Sequence, residues 1–243
     1  MRAVAFDCYG TLIDFDERAF VPAIRALFAR HGVAADAGAV WDDWIKAARE
    51  FAKTMGIDPE RPLDGPEPPF RTFQESWPLF FGYALDLWKV GAVDAHAATA
   101  YLLDALGRAP AYEESREVVD GIRAAGVTVA VASNADRGHL AAALRGAEIS
   151  ADVVVSSEDV RAYKPRRPFY EALLRALDLS AAQVLYVGDH PIADVTGARS
   201  VGMPVYRVQR FERETPSHQP AFEATWTFPD LRGLLRLIPA AAP

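Results

Sequence analysis

The chain has 243 residues, of which 51% are hydrophobic; this is enough for a substantial buried core and excludes an intrinsically disordered chain. Its net charge of −7 at pH 7, with acidic and basic residues mixed along the sequence, excludes a broad basic surface for nucleic acid or an anionic membrane. A single cysteine excludes an intramolecular disulfide, and no apolar run reaches the roughly 20 residues of a membrane helix, so we expect a cytoplasmic protein.

The first predicted element is a short buried strand at Ala3–Phe6. This apolar run ends at Asp7, and the polar loop Tyr9-Gly10-Thr11 follows it. Open α/β sheets place their chemistry at the carboxyl ends of such strands. Asp7 is therefore the first candidate for a functional residue.

The next segment, residues 16–107, is predicted to be helical. Apolar residues such as Phe20, Ile24 and Phe28 recur there with helical spacing, and a proline-rich stretch at 58–69 interrupts the pattern. We interpret this segment as a helical cap inserted after the first strand. Its many aromatic residues are compatible with a core of the cap or with the interface of a homodimer.

From residue 108 onward, strands and helices alternate. Four further apolar strands are predicted, separated by helices, at 127–132, 153–155, 184–187 and 205–206. Such alternation is typical of a doubly wound parallel sheet with helices on both faces. We therefore predict an α/β fold with a Rossmann-like core formed by residues 1–15 and 108–243, carrying the inserted cap.

Polar residues follow three of the buried strands, and a lysine opens a helix between the last two. They are Asp7, Ser133-Asn134, Lys164-Pro165 and Gly188-Asp189. Because the carboxyl ends of parallel strands lie at one edge of a sheet, we expect these groups to meet there. Taken singly, each has a structural explanation, such as a turn or the start of a helix. Their convergence carries the prediction of an active site.

These residues form four motifs that resemble those of the haloacid dehalogenase superfamily, in the family's order. The motifs are Phe6-Asp7-Cys8-Tyr9-Gly10-Thr11-Leu12, Ser133-Asn134, Lys164-Pro165, and Val187-Gly188-Asp189 with Asp194. The resemblance covers about residues 1 to 207, and the helical insert is similar to the family's smaller cap type. It implies a hydrolase that acts on a small anionic substrate.

The resemblance implies a catalytic role for each of five residues. Asp7 would attack the substrate and form an aspartyl-phosphate or an aspartyl ester, which water then hydrolyses. Thr11, Ser133 and Asn134 would donate hydrogen bonds to the substrate or the intermediate. Lys164 would neutralise charge on Asp7 and on the transferring group.

The resemblance also implies Mg²⁺ as a cofactor. Asp7, Asp189 and the backbone carbonyl of Tyr9 would bind the ion through hard oxygen ligands. Asp194 would be a further ligand or would orient Lys164.

Two tyrosines, Tyr9 and Tyr170, stand at positions where this chain resembles the L-2-haloacid dehalogenases of the superfamily. Tyr9 stands where the phosphatases usually carry a second Asp as acid and base. Tyr170, six residues after Lys164, is a candidate substrate contact, although packing explains it equally well.

At Asp189 the chain instead resembles the phosphatases. The metal-free dehalogenases carry Ser and Asn before the last Asp of the fourth motif, where this chain has Gly188-Asp189. The arginine with which dehalogenases hold halide and carboxylate aligns here with Ile45; the alternative is that Lys46 or Arg49 faces the site instead. Without a metal, Asp189 would also repel Asp7 and an anionic haloacid.

We therefore favour a Mg²⁺-dependent phosphatase of a small phosphomonoester. In that case Tyr9, His190 or metal-bound water would replace the missing acid, and His190 is also a candidate substrate contact. One alternative is an (S)-2-haloacid dehalogenase. Another, motivated by Tyr9, is a catalytically weak protein that binds a ligand or a partner through its cap.

Overall fold

A six-stranded parallel sheet forms the centre of the computed structural model, which describes residues 1–15, 17–54, 63, 69–210 and 224–238. The strands are β1 (Ala3–Phe6), β2 (Thr128–Ser133), β3 (Val153–Ser156), β4 (Val184–Gly188), β5 (Val205–Val208) and β6 (Trp226–Phe228). Their order across the sheet is β3-β2-β1-β4-β5-β6, and every neighbouring pair is parallel. The chain thus builds outward from β1 in both directions, which confirms the predicted doubly wound α/β fold.

Helices cover both faces of the sheet. They are α5 (Ser115–Ala124), α6 (Arg137–Gly146), α7 (Ser157–Val160), α8 (Arg167–Leu177) and α9 (Gly197–Ser200). Because side chains alternate along a strand, Val4 and Phe6 of β1 pack in the core layer that contains α5, whereas Ala3 and Ala5 pack in the layer that contains α8. Both faces of β1 are buried, so its sequence reads as a continuous apolar run.

Among the described residues between β1 and α5 there are four helices, and we call them the helical insert. They are α1 (Glu17–Arg30), α2 (Ala37–Thr54), α3 (Phe73–Leu87) and α4 (Ala95–Leu106). Helix α3 begins with a capping box formed by Thr72 and Glu75. The insert has its own core, in which Trp41, Trp44 and Phe81 are buried. The aromatic pattern of this segment therefore fills a core.

One face of α3 is apolar and exposed. Leu79, Tyr83 and Leu87, spaced four residues apart, are 48%, 56% and 55% exposed, and we call them the α3 ridge.

Within the described residues, no helix is long and apolar enough to cross a membrane.

The insert is tied to the core at the start of α3. The Asp136 carboxylate, at the N-terminus of α6, accepts hydrogen bonds from the backbone N–H groups of Phe73 (2.8 Å) and Gln74 (3.0 Å). Tyr163 donates its hydroxyl to the carbonyl of Arg71, and its ring stacks on Phe73. These contacts bring α3 next to the loops that carry Ser133 and Lys164.

Two elements differ from the sequence-based expectation. Strand β6 was not predicted, because it has only three residues at the sheet edge and Trp226 is exposed there. Between the predicted strands at 184–187 and 205–206 a single helix was expected, whereas the chain forms a π-helical turn at Pro191–Thr196 before α9. Both lie where tertiary packing, and not periodicity, decides the local structure.

Candidate active site

Side chains from three adjacent strands meet at the carboxyl edge of the sheet. Asp7 follows β1, Ser133 ends β2, and Asp189 follows β4, so all three lie around the point where the chain changes direction across the sheet. Lys164 reaches them from the loop before α8, and Asp194 from the π-helical turn. The structure therefore brings the predicted motif residues together.

The two oxygens of the Asp7 carboxylate have different surroundings. Oδ1 accepts two short side-chain hydrogen bonds, from Lys164 Nζ at 2.6 Å and from Ser133 Oγ at 2.9 Å. Oδ2 has only a long side-chain contact, with Thr11 Oγ1 at 3.5 Å. Burial raises the pKa of Asp7, although the charge of Lys164 opposes this shift. Oδ1 is therefore held by two short hydrogen bonds, whereas Oδ2 is the less engaged of the two oxygens.

Lys164 is a buried ammonium group between two buried carboxylates. Its Nζ lies 2.6 Å from Asp7 Oδ1 and 2.7 Å from Asp194 Oδ1. Burial alone would lower its pKa, but Asp194 and Asp7 outweigh that effect and raise the pKa above the ordinary value. Lys164 is therefore a permanent positive charge at neutral pH.

Asn134 does not point its amide into the site as expected. Its Oδ1 accepts from the backbone N–H of Lys164 at 2.8 Å, and its Nδ2 donates to the carbonyl of the same residue at 3.1 Å. Both polar atoms are thus engaged by the backbone that carries the ammonium. These contacts favour a role of Asn134 in positioning Lys164, and its contact with the substrate stays a prediction.

Asp194 is fully buried, and its two oxygens are both occupied. Oδ1 accepts from Lys164, and Oδ2 accepts the backbone N–H of His190 at 2.9 Å. A side chain at Gly188 would collide with this carboxylate, so glycine is required there. Of the two predicted roles of Asp194, orientation of Lys164 is the one its contacts support.

Asp189 is half-buried and lies against Gly10 of the loop that follows Asp7. Gly10 has φ +82°, and a Cβ on it would lie 2.9 Å from Asp189 Oδ2, so the loop needs glycine for its backbone conformation and for space. Oxygens of Asp7, Asp189 and Asp194 lie within 4.8 Å of one another. Carboxylate oxygens are ligands that suit Mg²⁺, and since both oxygens of Asp194 are engaged, Asp7 and Asp189 are the two carboxylates that could bind it.

The remaining predicted residues lie around this centre. The Tyr9 hydroxyl is buried and has no hydrogen-bond partner among the described residues, and burial raises its pKa, so Tyr9 stays protonated at neutral pH. Tyr170 is fully buried and donates its hydroxyl to the carbonyl of Ala193, which favours the packing role. His190 is exposed, and its Nδ1 accepts from the backbone N–H groups of Ile192 and Ala193. His190 thus caps the turn that carries Asp194.

Arg210 was not identified from the sequence, and it contacts the loop that follows Asp7. Its Nη2 donates to the carbonyl of Thr11 at 2.7 Å, and its Nη1 pairs with Glu114 Oε1 at 2.7 Å. Its guanidinium lies 3.5 Å above the ring centroid of Tyr112. An arginine just past the end of an apolar strand was the available signal.

Tyr186 was also missed. It lies in the middle of β4, is fully buried, and places its hydroxyl 3.1 Å from Lys164 Nζ. A tyrosine in an otherwise apolar buried strand is a signal in itself, because its hydroxyl needs a partner.

Comparisons with known proteins agree with this geometry. A protein-family model described as haloacid dehalogenase-like hydrolase matches residues 1–202. (S)-2-haloacid dehalogenase 1 of Pseudomonas sp. (strain CBS-3) is 27% identical over 88% of this chain and 86% of its own length. Phosphoglycolate phosphatase of Rhodospirillum rubrum is 29% identical over 63% and 68%, respectively.

The comparison with solved structures confirms the fold. The solved structure of the L-2-haloacid dehalogenase RSc1362 superposes with a TM-score of 0.78 at 23% identity, covering 98% of both chains. Because the family model spans most of the chain and its four motifs meet in one site, the protein belongs to the haloacid dehalogenase-like hydrolases.

Proposed function

We propose that this hydrolase is an (S)-2-haloacid dehalogenase that forms a covalent ester on Asp7. The supporting observation is the extent of the likeness to the Pseudomonas dehalogenase. The match to the dehalogenase covers 88% of the chain, and the remaining 12% is shorter than the helical insert, so the match includes most of the insert. The match to the phosphatase covers 63% of the chain. Insertions that close over a site select its substrates, so a likeness that includes the insert weighs more. The sequence alone favoured the phosphatase; the comparisons support the alternative better.

The asymmetry of the Asp7 carboxylate suits the first step. Oδ1 is held by Lys164 and Ser133, so Oδ2 attacks the carbon that carries the halogen. The new C–O bond forms as the C–halogen bond breaks, and halide leaves with the bonding electron pair. The product of this step is an ester between Asp7 and the substrate carbon.

The second step uses the same two donors. Water adds to the carboxyl carbon of the Asp7 ester, and the negative charge develops on Oδ1. Lys164 and Ser133 already donate to that oxygen at 2.6 and 2.9 Å, so they stabilise the charge without rearrangement. The bond between the carboxyl carbon and Oδ2 then breaks, and Oδ2 leaves with the substrate carbon. One hydrogen of the water becomes the hydroxyl hydrogen of the 2-hydroxy acid, the other is released to solvent as a proton, and the Asp7 carboxylate is restored with the oxygen of the water.

A Mg²⁺-dependent phosphatase is the second candidate, and Asp189 is the observation that favours it. Asp7 and Asp189, with the carbonyl of Tyr9, would hold the ion beside the nucleophile, and Asp194 would orient Lys164. A bound Mg²⁺ would neutralise the carboxylates and the phosphoryl oxygens. Oδ2 of Asp7 would be the attacking oxygen in this case as well.

Substitution of Asp189 separates the two activities because its effect has opposite signs. In a phosphatase, Asp189→Asn removes a metal ligand and abolishes turnover. In a dehalogenase, the same change removes a negative charge that repels the haloacid, so KM falls and kcat is retained. Asp178→Asn, at the exposed end of α8, is the matched control.

The assay measures chloride release from L-2-chloropropionate and phosphate release from an aryl phosphate, each with Mg²⁺ and with EDTA. We expect chloride release that EDTA does not affect, that Asp7→Asn abolishes and that Asp189→Asn preserves. Phosphate release that is lost with EDTA and with Asp189→Asn would replace the dehalogenase by the phosphatase. Turnover of neither substrate class would contradict both assignments.

A further inference from the structure

The hydroxyl of Tyr186 lies at the centre of the charged cluster. It accepts a hydrogen bond from Lys164 Nζ at 3.1 Å, and it lies 3.0 Å from the carbonyl of Ala132 and 3.3 Å from Asp194 Oδ1. Its single proton goes to the nearer acceptor, Ala132, the residue before Ser133. Tyr186 therefore links the ammonium to the strand end that carries Ser133.

Tyr186 completes the hydrogen bonds of Lys164. An ammonium group has three N–H donors, and here they are directed to Asp7 Oδ1, Asp194 Oδ1 and Tyr186 OH. Three contacts fix the position of the nitrogen, whereas two would leave it free to swing about the line that joins the carboxylates. The distance from Lys164 to Asp7 therefore depends on the third contact.

The third partner has to be neutral. Another carboxylate would draw the ammonium away from Asp7 and add a further negative charge to the site. An apolar side chain would leave one N–H of a buried cation unpaired, which is costly. A tyrosine hydroxyl avoids both effects, and its ring, 5.3 Å from that of Tyr170, is held by packing.

We propose that Tyr186 is a positioning residue that holds the Lys164 ammonium against Oδ1 of Asp7 and so keeps Oδ2 as the attacking oxygen. This proposal rests on the assignment of Asp7 as the nucleophile, and it holds for either activity. Tyr186 does not touch the substrate. Its effect is on the chemical step and not on binding.

The first test is Tyr186→Phe, which removes one oxygen atom. We expect kcat to fall about tenfold with KM within about twofold of the wild type, as for groups that orient an active-site residue from behind. The matched control is Tyr206→Phe. Tyr206 is a fully buried strand tyrosine in β5 whose hydroxyl donates to the carbonyl of Asp230, in the core layer on the opposite face of the sheet. We expect the control to leave kcat unchanged.

The second test needs no substrate. The chain has four lysines, and Lys46 and Lys89 are exposed, so ¹⁵N NMR of the lysine ammonium groups is simple to assign. With three bonded N–H groups, Lys164 should give a slowly exchanging signal in the wild type and in Tyr206→Phe. The signal should be lost or exchange much faster in Tyr186→Phe.

The outcomes are distinguishable. An unchanged kcat together with an unchanged ammonium signal in Tyr186→Phe would overturn the proposal, and so would a fast-exchanging Lys164 in the wild type. A rise in KM that accounts for the whole loss of kcat/KM would also overturn it. If the wild type turns over neither substrate, the function assignment fails while the ammonium signal still decides on Tyr186. If Tyr186→Phe does not fold, Tyr186→Met serves in the same two measurements.

Discussion

Replacing Lys164 by Met should make the free energy of unfolding strongly dependent on pH. The substitution keeps the length of the side chain and removes the charge, so Asp7 and Asp194 remain buried without their counter-ion. Breaking a buried pair in this way costs about 3–5 kcal/mol. For a chain of this size, each kcal/mol lowers Tm by about 2–4 °C, so we expect a loss of about 6–20 °C at pH 7.5.

The sign of the pH dependence follows from the Asp7 carboxyl. Burial already raises its pKa in the wild type, and removal of Lys164 takes away the charge that opposes this shift. The folded variant then binds protons more tightly than the unfolded chain, so its stability rises as the pH falls through the raised pKa. The deficit relative to the wild type should therefore be smaller at pH 5 than at pH 7.5.

Thermal and urea unfolding at the two pH values, followed by circular dichroism, measures this effect. The matched control is Lys46→Met, because Lys46 forms an exposed ion pair with Asp43 and its loss should have little effect at either pH. If Lys164→Met is as stable as Lys46→Met at pH 7.5, or if its deficit grows towards pH 5, the reasoning about the buried charges is refuted.

Three further predictions concern other parts of the molecule. Burial, reinforced by the charge of Asp7, raises the pKa of the Cys8 thiol. We therefore expect no reaction with a disulfide reagent at pH 8 in the native protein and reaction of one equivalent per chain in guanidinium chloride. Reaction of the native protein at the rate of the denatured protein would contradict this. Arg210→Gln should lower kcat about tenfold in steady-state assays, because it leaves the carbonyl of Thr11 without its hydrogen bond from Arg210. Arg232→Gln, at an exposed position, should leave kcat unchanged. Equal kcat values for the two variants would exclude a role for the Arg210 contact. If the α3 ridge is the interface of a homodimer, light scattering should show a dimer that Tyr83→Glu converts to a monomer, and a monomeric wild type would rule that interface out.

The fold and the centre of the site were predictable because local signals and tertiary structure agree there. Strands β1, β2 and β4 each contain a continuous apolar run. Asp7 and Asp189 directly follow two of these strands, so topology alone brings their polar groups together. Strand β6 lacked such a signal, since three residues at an exposed edge have neither length nor periodicity.

The direction of side chains was harder to predict than their proximity. Asn134 has the residue type of a substrate ligand, yet its amide matches the backbone of Lys164 in both donor and acceptor, which only the loop geometry reveals. Tyr186 contacts Lys164 across 22 residues of sequence, and Arg210 contacts Thr11 across 199. A pairing across such a separation leaves no trace in a single sequence beyond one polar residue in an apolar context.

The points at which the chain leaves and re-enters the core around the insert are paired with each other. Ile13 and Ala111 form an antiparallel bridge, the N–H of Asp14 donates to the carbonyl of Pro110, and the N–H of Tyr112 donates to that of Leu12. Residues 12–14 and 110–112 are therefore paired with each other as the two strands beside a hairpin loop would be, although the insert lies between them. Because this pairing does not involve the insert, the insert can differ in length or sequence without disturbing the backbone that leads from Asp7 to Asp14.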